Sequence, residues 1–199
     1  MVPLEPPVRT STGVKTSVLR GPGRLSQSAQ KGYALPMSVS VVEASAEEAF
    51  IFNNLGELYV HDFSEIVPSE LNEAGRFDHD FLHHCWGRGN QIPYLIRVAD
   101  RLAGFAIVGR GSRLTGDPVV HDLSEFFIVR RYRRQGIGTR AAAALFGLRA
   151  GTWEVRERAG NAAAHAFWRS AIGVYTSGRF DELVVADERW HGWVQRFVS

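Results

Sequence analysis

"FFIVRRYRRQGIGTRAAAALF", Phe126 to Phe146, decides how the chain is read. An apolar strand end, "FFIV", runs into a basic turn, and an alanine-rich segment at helical spacing follows. Arginine supplies five of the twelve residues from Val129 to Arg140, yet two glycines sit one residue apart in the middle. The run could be a nucleic-acid patch, a solvated charge run, or a cradle for a smaller anion. The first N–H groups of a helix lack intrahelical partners and lie at the positive end of its dipole, where anions are favoured. Gly136 and Gly138 let the backbone approach such an anion without a Cβ in the way, and arginines add charge-assisted hydrogen bonds. The dinucleotide pattern G-x-G-x-x-G fails at Ala141. No Lys-Ser/Thr pair follows the glycines, so this is not a Walker loop either.

Bulk composition narrows the choices. With 199 residues, 45% of them apolar, the chain can build one domain with a substantial core. The formal net charge of +2 counts against a polycationic nucleic-acid binder. No apolar run approaches the ~20 residues of a membrane span. A single cysteine, Cys85, excludes an internal disulfide and points to a reducing cytoplasm. Residues 1–36 hold both lysines, Lys15 and Lys31, five of the eight prolines, and only one acid, Glu5. They show no sustained period, so 1–36 reads as a flexible N-terminal extension and 37–199 as the domain.

Working outward, "SVSVVEA" reads as a strand. Ser45 and Glu48 form a capping box for a helix over 46–63 whose apolar stripe runs through Phe50, Leu55, Leu58 and Phe63. "IPYLIRVADRLAGFAIVGR" is a hairpin pattern, and "PVVHDLSEFFIV" is a long strand. Ile137, Ala141, Ala144, Leu145 and Leu148 share a helical face, with Gly151 as its C′ glycine. "TWEVRER" is a strand and "NAAAHAFWRSAI" a helix. "GVYTSGRFDELVV" and "RWHGWVQRFV" read as a strand pair. The order predicts a mixed α/β single domain with helices on a central sheet.

The pattern R-x-x-G-x-G, Arg133 to Gly138, in its strand–helix setting resembles the GNAT superfamily of acyl-CoA-dependent N-acetyltransferases. "NAAAHAFW" is similar to that family's N-x-x-A-x-x-F-Y segment, and the element order from Ser38 to Ser199 matches as well. The resemblance implies a mostly antiparallel sheet of six to seven strands, splayed to form an acyl-CoA cleft. It implies acetyl-CoA as co-substrate, no metal, and direct attack by a small-molecule or peptide amine without an acyl-enzyme. Nucleic acid and membrane are not expected as partners.

It also implies roles for particular residues. Phe127 and Ile128 would offer backbone groups to the pantetheine arm. Arg133, Arg134, Gln135, Gly136, Ile137, Gly138 and Thr139 would cradle the pyrophosphate. Asn161 would hydrogen-bond the coenzyme, and Phe167 would pack near the arm. Where the family places a tyrosine acid this chain has Trp168, whose indole N–H is no proton source near neutral pH. Tyr175 is the substitute, with a plain structural role as the alternative.

Glu125 is the candidate base. Strict alternation puts it on one face with Phe127, and Asp122 and Ser124 on the other. An ion-paired strand carboxylate is the competing reading. Tyr59, Asp62 and Glu65 are the candidate amine-binding residues, against an ordinary amphipathic helix end. His79, His83 and His84 tempt a metal reading, but no zinc-type spacing accompanies them. Trp190 and Trp193 fit the acceptor side, the core, or a homodimer contact. Trp168 also leaves open a catalytically weak, CoA-binding sensor.

Overall fold

A computed structural model describes residues 38–77, 85–86 and 89–199. The proposed extension, 1–36, and His79, His83 and His84 lie outside the described residues. Among those described, the elements run β1 (Val39–Glu43), α1 (Ala49–Phe63), β2 (Gln91–Val98), β3 (Arg101–Arg110), β4 (His121–Ile128), α2 (Ile137–Gly147), β5 (Thr152–Arg158), α3 (Ala162–Thr176), β6 (Asp181–Asp187) and β7 (Trp190–Val198). They form one open sheet in the order β1-β2-β3-β4-β5-β7-β6. Every pairing is antiparallel except β4 with β5.

Local chemistry sets the element ends. Ser45 N–H donates to Glu48 Oε2 at 3.1 Å, the reach-back half of the capping box, and a 3-10 turn over Ala46–Glu48 leads into α1. The β2–β3 hairpin turns on Ala99 and Asp100, with φ of 47° and 64°, the two-positive-φ geometry whose twist matches the flanking strands. Asn161 caps α3 by accepting from Ala164 N–H at 3.0 Å.

The sheet buries a core on each face. On one, Ile137, Ala141, Leu145 and Phe146 of α2 and Trp168 and Ile172 of α3 pack on Ile96, Ala106, Trp153 and Val155. On the other, Phe52 and Leu55 of α1 pack on Leu95, Phe105, Ile107 and Phe127. Each fully buried large side chain contributes about 1.5–3 kcal/mol of transfer free energy.

Three sequence expectations need correction. The inward stripe of α1 is Phe52, Leu55 and Tyr59; Phe50 and Leu58 fall outside it and stay 62% and 51% exposed. In α2, Phe146 takes the inward place expected of Ala144 and Leu148. The helix closes at Leu148, so Gly151 instead leads into β5. And α3 runs on through Thr176, which makes "GVYT" helical, because Ser177 supplies the left-handed residue that stops it.

Candidate functional site

β4 and β5 hydrogen-bond only over His121–Leu123 and Trp153–Val155. Beyond that, β4 stays tied to β3 and β5 to β7, so the two strands diverge and open the sheet between them. A bulge contributes to the divergence. Ile107 pairs with Glu125 but Val108 with Leu123, which leaves Ser124 as an extra residue in β4. The extra residue also breaks strict alternation. Ser124 Oγ donates to Asp122 Oδ2 at 2.7 Å, and a Cβ on Gly109 would meet both side chains. Glu125 meets Tyr59 of α1. Asp122, Ser124 and Glu125 therefore face the α1 side together, where alternation alone had separated them.

At the open end of β4 the chain makes a 3-10 turn, Arg130–Tyr132, and enters α2 through Arg134 (φ 60°) and Gly136 (φ 70°). The first intrahelical bond is Arg140 N–H to Gly136 O at 3.1 Å. The N–H groups of Ile137, Gly138 and Thr139 thus precede the ladder, as an anion site requires. A Cβ on Gly138 would sit 3.2 Å from the Phe167 ring, so glycine there lets α2 close on α3. Arg134, Gln135 and Gly136 are exposed at the mouth of this loop.

Arg133 does something different. Its Nε donates to Ile128 O at 2.6 Å, its Nη2 pairs with Asp62, and its guanidinium lies 5.3 Å from the Phe127 ring. Arg130 Nη2 reaches the same carboxylate at 2.6 Å. Burial works to raise the Asp62 carboxyl, but the hydrogen bonds from Arg130 and Arg133 bring it below the ordinary range. Asp62 therefore fastens the loop to the end of α1, with both arginines already on its oxygens.

Between the diverging strands lies a cavity of about 380 Å³. Tyr59 of α1, Ser124 to Phe126 of β4, Val155 to Arg158 of β5, Asn161 and Trp168 of α3, and Trp190 line it, with Arg113 at its rim. Glu125 Oε2 accepts from Tyr59 Oη at 2.5 Å. Burial pushes the Glu125 carboxyl up, while the Tyr59 bond and the charges of Arg156 and Arg113 pull part of it back. Burial and the neighbouring Glu125 raise the Tyr59 phenol well above its ordinary value. Arg156 grips buried Asp122 with two bonds, 2.8 and 3.1 Å, and stacks 4.5 Å over Trp190; Arg158 lies 5.5 Å over the same ring.

Other expected residues sit as follows. Phe167 stacks on Phe126 at 6.1 Å, and Trp168 meets the edge of Phe126 at 5.0 Å. The Tyr175 hydroxyl bonds Ser199 Oγ at 2.7 Å, and its ring packs on Phe146 and Phe197. It is not among the residues lining the cavity, because the longer α3 carries it into the core. Glu65 is exposed and also outside the lining. Trp193 stacks on His165 at 4.1 Å. Cys85 is buried, and desolvation pushes its thiol up to about 11, which disfavours the thiolate a nucleophile needs. Among the described residues no group of three His, Cys, Asp or Glu is placed to hold a metal ion, and no helix is long and apolar enough to cross a membrane.

Glu157 of β5 escaped the sequence reading. It lines the cavity, is 3% exposed, and among the described residues neither carboxyl oxygen has a hydrogen-bond partner by geometry. Burial and the nearby Glu182 carboxylate push it up to about 9. The signal was present: in "TWEVRER", Trp153, Val155 and Glu157 alternate onto one face, and the third is an acid on a core stripe.

The family model described as acetyltransferase (GNAT) family matches residues 52–174. No curated protein matches the sequence. Among solved structures, an acetyltransferase from Thermus thermophilus is 12% identical, covers 82% of this chain and 99% of its own, and superposes with a TM-score of 0.60. A GNAT-family acetyltransferase from Staphylococcus aureus is 12% identical over 81% and 99%, at 0.55. The ribosomal-protein-S18-alanine N-acetyltransferase of Escherichia coli is 15% identical over 81% and 94%, at 0.51. At these identities the likeness concerns the fold alone.

Proposed function

The chain belongs to the acetyltransferase (GNAT) family, and on that premise we propose that it transfers the acetyl group of acetyl-CoA to a primary amine by direct attack in a ternary complex. The observation that carries this reading is the continuity between the open helix N-terminus at Ile137–Thr139 and the cavity holding Glu125, along one splayed strand. Acetyl-CoA supplies the thioester. The loop from Arg134 to Thr139 holds its pyrophosphate through main-chain N–H groups, with Arg133 bracing that loop against β4 and α1. The cleft-facing edge of β4 at Phe127 and Ile128 takes the pantetheine arm. Asn161 and Phe167 flank it from α3.

Glu125 accepts the amine proton, directly or through one water, and Tyr59 orients it. Its raised carboxyl is a stronger base than an ordinary one, in the direction that proton abstraction near neutral pH favours. The acceptor is a small molecule or peptide amine entering past Tyr59 and Trp190, and the lone, buried Cys85 fits a reducing cytoplasm. A second reading, a CoA-binding protein of weak activity, rests on Trp168 in the place of the family's tyrosine.

Thiol release from acetyl-CoA, followed colorimetrically across a panel of amines, separates the two. Amine-dependent turnover supports transfer. Coenzyme binding without turnover on any amine supports the sensor.

A further inference from the structure

We propose that Glu157 is the general acid of this transfer, protonating the departing thiolate from the β5 side of the cleft; the proposal rests on the acetyltransferase reading above. Glu157 stands across the opening from Glu125, one carboxyl on each diverging strand, and both line the same cavity as Trp168. Its two oxygens are buried without a hydrogen-bond partner among the described residues. A charged carboxylate left so would be costly, whereas a neutral acid needs only one acceptor.

The polar neighbours of Glu157 on its face of the sheet lie on β7 and β6. Gln195 of β7 is directly opposite Val155 and Glu182, diagonal to Glu157 on the same face. Its Nε2 donates to Glu182 Oε2 at 2.9 Å, and its side chain acts on Glu157 in the lowering direction, while among the described residues its buried Oε1 lacks a donor. Glu182 of β6 is itself held by His165 at 3.0 Å and Arg169 at 3.2 Å from α3, which keep it ionised next to Glu157. Arg156 and Arg158 flank Glu157 along β5, and their guanidiniums lie over Trp190 instead. Burial and the Glu182 charge outweigh the lowering pull of Gln195 and of the Glu157 backbone, and keep the proton on Glu157 at neutral pH.

The other dissociable groups are placed for other work. Tyr59 donates its hydroxyl hydrogen bond to Glu125, Tyr175 bonds Ser199, and Trp168 cannot ionise. In the transfer, the amine nitrogen forms its bond to the acetyl carbon and loses a proton to Glu125. The C–S bond breaks with its electron pair on sulfur, and Glu157 gives sulfur its proton. Solvent then returns one proton to Glu157 and removes one from Glu125, so amine and acetyl-CoA become amide and free CoA thiol.

The test is the pH dependence of kcat for the full chain, measured as thiol release with a turned-over amine. Wild type is expected to lose kcat as pH rises through about 9, where the acid ionises. Glu157→Gln keeps the size and hydrogen-bonding capacity of the side chain but cannot ionise. It is expected to lower kcat about 100-fold, change the acetyl-CoA KM less than about 3-fold, and abolish the alkaline limb. Glu157→Asp restores part of kcat and the limb. Glu182→Gln removes the adjacent negative charge and is expected to move the limb to lower pH, which keeps the test open should Glu157→Gln fold poorly. An unchanged kcat with the limb intact in Glu157→Gln, or a limb unmoved in Glu182→Gln, overturns the assignment. No thiol release by wild type with any amine overturns the acetyltransferase reading and this one with it.

Discussion

The two ends of the cleft are built in opposite ways. The anion loop, Val129 to Arg140, is one contiguous stretch whose shape comes from backbone: a 3-10 turn, two positive-φ residues and an open helix N-terminus. The pocket beside it takes Tyr59 from α1, Glu125 from β4, Glu157 from β5 and Trp190 from β7, residues brought together only by the sheet. Changes in the loop should therefore appear in acetyl-CoA binding, and changes in the pocket in turnover or in the stability of the sheet.

The largest expected effect breaks the pocket's frame. Arg156→Ala leaves the Asp122 carboxylate buried without its two bonds, so urea unfolding should show a loss of about 3–5 kcal/mol. Next, Glu125→Gln should lower kcat about 100-fold, close to 2.7 kcal/mol of barrier, with the acetyl-CoA KM within about 3-fold. An effect on KM alone would erase the contrast with the loop.

Glu157 gives a stability test with a definite sign. Its folded value, about 9, exceeds the ordinary 4.5, so the native chain keeps a proton that the unfolded chain releases. Its contribution is fully present below about 4.5 and is lost as pH rises toward 9. Glu157→Gln should melt about 5 °C above wild type at pH 8, with the gap closing by pH 5.

The loop is sharpened by Gly136→Val. A β-branched residue at φ 70° is strained by about 1–3 kcal/mol, and the acetyl-CoA KM should rise about 10-fold with kcat nearly kept. The smallest effect is that of Tyr59→Phe. Removing the donor to Glu125 removes an influence that lowers its value, so the acid limb of kcat should move to higher pH.

The same contrast explains what was legible in the sequence. R-x-x-G-x-G and its flanking strand and helix are local, so the strand–loop–helix could be read from one stretch and the family followed. The partners of its arginines could not. Asp62 lies far back in the chain, and its pairing with Arg130 and Arg133 ties the loop to the end of α1. The bulge at Ser124 was equally hidden, since it exists only in register against Ile107 and Val108. The helical state of Tyr175 was hidden because α3 continues past the expected strand start, and helix length there depends on the left-handed Ser177. Glu157 was readable from alternation alone, but its meaning needed Gln195 and Glu182 from two further strands.

The most direct check on the shared cleft is thermal unfolding of the full chain with and without acetyl-CoA. At a concentration about 100-fold above Kd, the coenzyme should stabilise by about 2.7 kcal/mol and raise Tm by roughly 5–10 °C, with a smaller rise in Gly136→Val. A Tm unchanged at millimolar acetyl-CoA would contradict a coenzyme site between β4 and β5.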